Sequence, residues 1–160
     1  MAFDIAKEHL RKAGLEDRIY EFEVSSATVE LAAQAVGCEP ARIAKTLSFM
    51  ADQKAVLIVA AGDAKAGNHK YKEQFHTKAK MLSPDEVTEL VGHSVGGVCP
   101  FGVKEGVAVY LDESLKRFDV VYPACGSASS AVKLTIPELE TASGYLGWID
   151  VCKGWGEDSI

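Results

Sequence analysis

The stretch Ala55-Val56-Leu57-Ile58-Val59-Ala60-Ala61 sets the tightest limit on what this chain can fold into. Seven apolar residues in a row are too few to cross a bilayer as a helix, and too continuous for a strand with one wet face. Gly62 and Asp63 close the run, and Asp52 to Lys54 opens it as a hairpin turn. It therefore predicts a strand buried on both faces, which requires a layer of structure on each side of its sheet. On the other side of the turn, Lys45 to Met50 reads as its neighbour. There Lys45, Leu47 and Phe49 share one face and Thr46, Ser48 and Met50 the other, so Lys45 projects among apolar neighbours.

The flanking segments supply the cover. Phe3, Ala6, Leu10 and Ala13 recur at helical spacing before Gly14. Arg18 to Val24 alternates, with Tyr20, Phe22 and Val24 on one face, as a half-buried strand does. Thr28 caps a helix ending at Gly37, Pro40 opens a short helical turn, and Asn68 is placed to cap a helix through Phe75. Ser83-Pro84-Asp85-Glu86 is a capping box with proline at the first helical position, and Gly92 stops that helix. Further strands fit residues 107–111, 120–122, 131–134 and 148–152, with a short acidic-started helix over 112–118 and a helix capped by Thr135 and Glu138. Strands and short helices alternate irregularly, so the class is α+β: one domain over residues 1–160, with a curved, partly barrel-like mixed sheet covered by helices. The polar tail 153–160 is expected to fray.

Composition narrows the function classes. A net charge of −6 opposes a protein that coats nucleic acid, which needs a surplus of lysine and arginine. Only around Lys65, Lys70, Lys72, Lys78 and Lys80 is the acidic total locally reversed, enough to meet a few phosphates of an RNA end. Asp4, Lys7 and Glu8 stand where a signal peptide needs an apolar core, which points to the cytoplasm with no membrane partner. Cys38, Cys99, Cys125 and Cys152 form no C-x-x-C pair, so neither a zinc knuckle nor a dithiol redox motif is written here, and no metal is expected. The dinucleotide and P-loop glycine patterns are absent, and no cofactor or DNA partner is expected.

Two glycine-rich loops carry the chemistry. His93-Ser94-Val95-Gly96-Gly97-Val98-Cys99-Pro100-Phe101-Gly102 can hold backbone amides outward, the basis of an oxyanion hole or anion nest. Ala124-Cys125-Gly126-Ser127-Ala128-Ser129-Ser130 is a second loop of small residues.

Lys45-Thr46-Leu47 at a strand, Gly96 to Gly102 in a loop and Gly126 before a late strand, in that order, resemble the YbaK/EbsC family. That family is similar to the editing domain of bacterial prolyl-tRNA synthetases. The resemblance runs from Tyr20 to the helix after Leu134. It implies hydrolysis of the ester that joins a wrong small amino acid (alanine, cysteine or serine) to the 3′ end of tRNA, chiefly tRNA(Pro). The implied partners are the tRNA acceptor end and, transiently, prolyl-tRNA synthetase. By the same resemblance Lys45 matches the functional lysine, Gly96 to Pro100 the G-x-x-x-P loop, and Tyr20 an aromatic substrate-binding position. Family members are thought to enlist the ribose hydroxyl of the tRNA.

The residue types agree with that chemistry. Amides of Gly97, Val98 and Cys99 with the Lys45 ammonium suit a developing oxyanion, and Tyr20 or Phe101 suits stacking on the terminal adenine or packing in the core. Gly96, Pro100, Gly126, Ser127, Ser129 and Ser130 complete the expected substrate lining. Two departures stand out. Cysteine-removing members carry serine where this chain has Cys99, and their G-x-x-G-x-D reads Gly126-Ser127-Ala128-Ser129-Ser130-Ala131 here, without the acid. Two other classes remain open on the residues: an aminoacyl- or nucleotide-binding module without turnover, and a hydrolase using Cys99 or Cys125 with His93 or His76 as base.

Overall fold

The computed structural model describes residues 2–23, 28–93, 98–127 and 129–154. Its centre is the hairpin of β2 (Ile43–Ala51) and β3 (Lys54–Ala61), paired antiparallel from Ala44↔Ala61 to Ala51↔Lys54. Asp52 and Gln53 close it with φ of 50° and 66°, the left-handed pair that matches the twist of a two-residue hairpin. As the apolar run predicts, β3 is buried on both faces. Val56 and Ile58 join Phe49 and Tyr71 in the main core, whereas Ala55 and Leu57 pack with Leu82, Val87, Val91 and Val109. A chain of ring contacts, Phe49 to Tyr71 to Phe75 to Tyr110, runs along the first face at centroid separations of 4.9, 4.7 and 5.5 Å.

β3 also pairs in parallel with β5 (Ala108–Asp112), and β5 in parallel with β9 (Trp148–Ile149). On the other side β2 meets β6 (Val120–Pro123) in parallel, and β6 meets β8 (Leu134–Thr135) antiparallel. The sheet is thus mixed, in the order β8-β6-β2-β3-β5-β9, and the fold is the expected α+β class with a curved, half-barrel sheet. Two small ladders flank it: β1 (Ile19–Glu21) with β7 (Ser130–Val132), and β4 (Lys65–Ala66) with β10 (Cys152–Lys153). The Val24 end of the predicted first strand lies outside the described residues.

Helices cover the faces where the sequence places them. In α1 (Ala2–Lys12) Ala6 and Leu10 are wholly buried, and Gly14 follows at φ 77°. The Thr28 hydroxyl accepts the Leu31 N–H at 3.1 Å to start α2 (Val29–Val36). Both capping boxes form, Ser83 with Glu86 and Thr135 with Glu138, the latter opening α5 (Ile136–Ser143). The helix α4 (Pro84–Glu86) then widens into a π turn over Val87–Val91. No helix among the described residues is long and apolar enough to cross a membrane.

Four expectations change in detail, the first two at backbone N–H groups that bond to partners remote in sequence. The strand expected over 148–152 splits, since the buried Asp112 carboxylate takes the Val151 N–H at 3.0 Å and lifts that residue out. The strand over 131–134 breaks at Lys133, whose N–H goes to the Arg18 carbonyl at 3.0 Å. Asn68 is the first residue of α3 (Asn68–Phe75), with Gly67 in the capping position, and the turn at Glu113–Arg117 is 3-10.

Gly62 holds the end of β3 against the turn at Pro40–Arg42. A Cβ placed there falls on the Pro40 carbonyl oxygen, well inside van der Waals contact, and close to Val29. Gly62→Ala should therefore destabilise the fold by about 2–3 kcal/mol, seen as a lower urea midpoint at unchanged slope; wild-type stability would mean that the contact yields freely.

Candidate functional site

The feature that makes a site is an interruption at the outer edge of β2. Beside β2, β6 pairs only with Ile43 and Ala44, and the next neighbour is the isolated bridge Phe49↔Met81, flanked by Leu82 N–H to Ser48 C=O at 3.1 Å. Among the described residues no strand pairs with this outer edge from Lys45 to Leu47, opposite the edge that β3 occupies. A cavity of about 340 Å³ fills the gap.

Its wall is built from several elements. Val29 and Ala32 come from α2, Tyr122 and Ala124 from the end of β6, Ser130 and Ala131 from β7, Leu82 and Val87 from the α4 region, and Val98 from the first glycine loop. Met81 stands at the mouth, 62% exposed. Polar character comes from the hydroxyl residues Thr28, Thr46, Ser48 and Ser130, and Lys45 is the one charged side chain in the wall among the described residues. Lys45 is half-buried, its Nζ donates to the Gly62 carbonyl at 3.4 Å, and burial pushes its pKa below the ordinary lysine value. Cys152, Asp63 and Glu30 pull it back up and Lys65 pushes it further down.

Thr46 escaped the sequence reading as a site residue. Its Oγ1 is enclosed without a hydrogen-bond partner, on the β2 face that points away from Lys45. An enclosed, unpaired hydroxyl is costly, and a polar ligand atom reaching it would recover that cost. Alternation had placed Thr46 opposite Lys45; only the missing neighbour strand shows that this face opens on a cavity.

The predicted site residues divide into groups. Lys45, Val98 and Ser130 line the cavity. Ser130 is 2% exposed, its Oγ is 2.8 Å from the Ser127 Oγ, and the Ser129 N–H donates to Ser127 Oγ at 3.4 Å, so this loop holds its hydroxyls together. Tyr20 lies outside the wall but touches it: its ring meets Tyr122 edge-on at 6.3 Å, and it pairs with Ala131 across β1 and β7. Gly96 and Gly97 fall outside the described residues.

Cys99, Pro100 and Phe101 turn inward. Phe101 is wholly buried and tilts against His9 at 6.2 Å, so it packs in the core and presents no face to a base. Gly102, at φ 65° and in close contact with Ile5, lets the loop tuck beneath α1. Cys99 is also wholly buried, with Sγ 3.7 Å from the Phe101 carbonyl and beside the Gly126 amide, where it ties the two glycine loops together. Burial pushes its thiol far above the ordinary range, so it stays protonated. His93 is buried, burial holds it neutral, and its Nδ1 accepts the Cys99 N–H at 3.4 Å; it thus fixes the loop's backbone and is not aimed at the sulfur. Burial raises the thiol of Cys125 to about 12. The nucleophilic-cysteine reading loses its physical basis. Among the described residues no group of histidine, cysteine and carboxylate side chains could hold a metal ion.

Comparison with known proteins extends this geometry. Residues 23–142 match the family model of the aminoacyl-tRNA editing domain. The chain is 52% identical over 156 residues to YwhH of Bacillus subtilis (strain 168), an uncharacterized protein, covering 97% of this chain and 99% of that one. It is 30% identical over 101 residues to the proline–tRNA ligase of Geobacillus sp. (strain WCH70), of which it spans only 18%. A crystal structure of a proposed trans-editing enzyme for prolyl tRNA synthetase superposes with a TM-score of 0.86 at 29% identity, over 96% of this chain and 98% of that one.

Two expectations follow from the site. Thr46→Val should leave the fold as stable or up to about 1 kcal/mol more stable, measured by thermal unfolding, because it removes an unpaired hydroxyl at equal shape; a clear loss would reveal a partner. Under native alkylation Cys38, the half-exposed thiol, should be labelled while Cys99 is spared until unfolding; early labelling of Cys99 would show an open thiolate.

Proposed function

Since the chain belongs to the aminoacyl-tRNA editing domain family, we propose that it is a free-standing deacylase that hydrolyses the ester of a mischarged small amino acid on tRNA, with tRNA(Pro) as the favoured carrier. The observation that carries this reading is the Lys45 ammonium at the open edge of β2, in a cavity whose wall is otherwise uncharged among the described residues. Support for action in trans comes from the end-to-end match with the proposed trans-editing enzyme, against a match to only a fraction of the ligase. A translation-related editing role fits the cytoplasm and a transient association with prolyl-tRNA synthetase.

In the proposed reaction the aminoacyl group enters the cavity with its carbonyl toward Lys45 and the amides of the loop at Gly97 and Val98. Water adds to the carbonyl carbon, charge gathers on the carbonyl oxygen, and Lys45 and the amides stabilise it; one such donor is commonly worth about 10²–10³ in rate. The bond to the ribose 3′ oxygen then breaks, that oxygen takes a proton, and the amino acid leaves as a free acid. The wall offers no imidazole or carboxylate among the described residues, so the neighbouring ribose hydroxyl of the substrate is the group that orients the water and relays its proton. The α-ammonium of the substrate is repelled by Lys45 and belongs on the hydroxyl side, near Thr46, Ser48 and Ser130. On this reading Tyr20 and Tyr122, which meet edge-on, flank the terminal nucleotide.

The same lack of an acid or base in the wall favours a second reading, a module that holds an aminoacyl group without turnover. Release of free amino acid from alanyl-, cysteinyl- or seryl-tRNA by purified protein separates the two; no release from any of these esters sinks the deacylase. Lys45→Ala should lower turnover at least ~100-fold with little change in melting temperature. If the charged form is the active one, activity above the uncatalysed background falls as pH rises through the Lys45 pKa, which lies below the ordinary value of about 10.4, because burial disfavours the ammonium. Lys45→Arg should move that alkaline limb upward; an unmoved limb removes the Lys45 charge from the mechanism.

A further inference from the structure

From Lys65 to Lys80 the chain carries five lysines and one carboxylate, Glu73, within a protein whose net charge is −6. Two points of this segment come near the cavity wall: Lys65, by way of Lys45, and Lys80, next to Met81. Lys72, Lys78 and His69 line a common depression on the surface around α3. Glu73 is occupied by His69 at 3.0 Å, and Lys70 is held by Asp150 and by the Cys152 carbonyl, both at 3.0 Å. Lys65, Lys72, Lys78 and Lys153 have no carboxylate within ion-pair reach among the described residues, while Lys80 faces Glu86.

Two placements are costly without a counter-anion. Lys65 and Lys153 sit directly opposite each other across β4 and β10, and like charges in that position repel. Lys65 also lies near enough to Lys45 to oppose its protonation. At the other end, Lys80 immediately precedes Met81 at the cavity mouth, with the Lys80 carbonyl fixed by the Met50 N–H at 2.8 Å. The basic segment therefore approaches the cavity at Lys65 and at Lys80.

We propose that this ridge of Lys65, Lys72, Lys78, Lys80 and Lys153 is a docking track for the RNA backbone, binding the phosphates that precede the 3′ end inserted in the cavity. The inference rests on the deacylase reading for the position of that 3′ end. Side-chain ammonium groups on exposed stems suit phosphates as point charges without reading sequence. About four such contacts give a log affinity that falls with log salt at a slope of roughly −3 on a single strand.

The test uses an unacylated tRNA(Pro) transcript and fluorescence anisotropy over a range of salt. Lys72→Glu with Lys78→Glu should bind at least ten-fold more weakly near 0.1 M salt, with a slope shallower by roughly 1.4. Lys7→Glu with Lys12→Glu, in α1, makes the same change in net charge outside the ridge and should keep wild-type affinity. Wild-type binding by the ridge variant, or an equal loss in the α1 control, overturns the track. Wild-type turnover of 3′-aminoacyl adenosine, which lacks those phosphates, tests the cavity separately. If that ester and all the aminoacyl-tRNAs survive intact while the ridge result holds, the deacylase reading fails and the RNA track stands.

Discussion

Every part of the candidate site depends on the antiparallel pairing of β2 with β3. With β3 sealed by Phe49 and Tyr71 on one face and by Leu82 and Val109 on the other, it has no freedom to shift, because a slip of one residue exchanges its faces. Register then dictates that Lys45 opposes Ala60 and that Thr46 opposes Val59. Lys45 is thereby carried to the end of β3, where the Gly62 carbonyl receives its ammonium, and Gly62 must lack a side chain for the turn at Pro40 to close over it. The same ladder leaves the outer edge of β2 to two partial neighbours, β6 and the Met81 bridge, whose failure to meet produces the cavity.

The electrostatics of that cavity are simple because so little charge enters it. An ammonium in a wall of aliphatic and hydroxyl groups feels a weakened solvent, which raises the worth of its field at a nearby carbonyl and lowers the cost of losing its proton. Both effects have one cause, and they pull in opposite directions: deeper burial would sharpen the field but discharge the group. Half-burial with a carbonyl partner is the compromise seen at Lys45. Hydroxyls suit the remaining wall, since they accept from an ammonium and donate to an oxygen without adding a competing charge.

How much of this could be read from the chain follows from what is local. The alternation of Lys45 to Met50, the caps at Thr28, Ser83 and Thr135 and the double burial of Ala55 to Ala61 depend on neighbours within a few residues, and each appears where the pattern puts it. The resemblance to the editing family, carried by the lysine strand and the two glycine loops, is matched by the family comparison. What was illegible depends on long-range partners. The opening beside Thr46 is an absence of pairing, which no residue type announces, and β4 and β10 are two-residue strands that exist only through each other. Cys99 and Phe101 look reactive and stackable in a glycine-rich string; that they face inward is decided by α1 and the Gly126 loop, remote in sequence.

The charge pattern links affinity to orientation. An acidic surface repels RNA in most approaches, so the proposed basic ridge would act as a guide, admitting the orientations that bring phosphates to Lys72 and Lys78. On the proposed reading the end of the strand would then lie over Met81, with the aminoacyl group alone entering the cavity behind it. A ridge of few contacts would also limit how tightly RNA is held, as the proposed deacylase requires in order to let correctly charged molecules go. The cavity supplies what the ridge does not. On the deacylase reading, wall volume set by Ala32, Ala44, Ala124 and Ala131 would limit the size of the amino acid, but one methylene is worth only about 1–3 kcal/mol in such a pocket. The enclosed Thr46 hydroxyl offers a steeper distinction, because a ligand that reaches it with a polar atom gains what a purely apolar one forfeits. On the proposed reading, selection among small amino acids is thus expected to lie in the hydroxyl face of β2, and the orientation of the nucleic acid in the lysines near it.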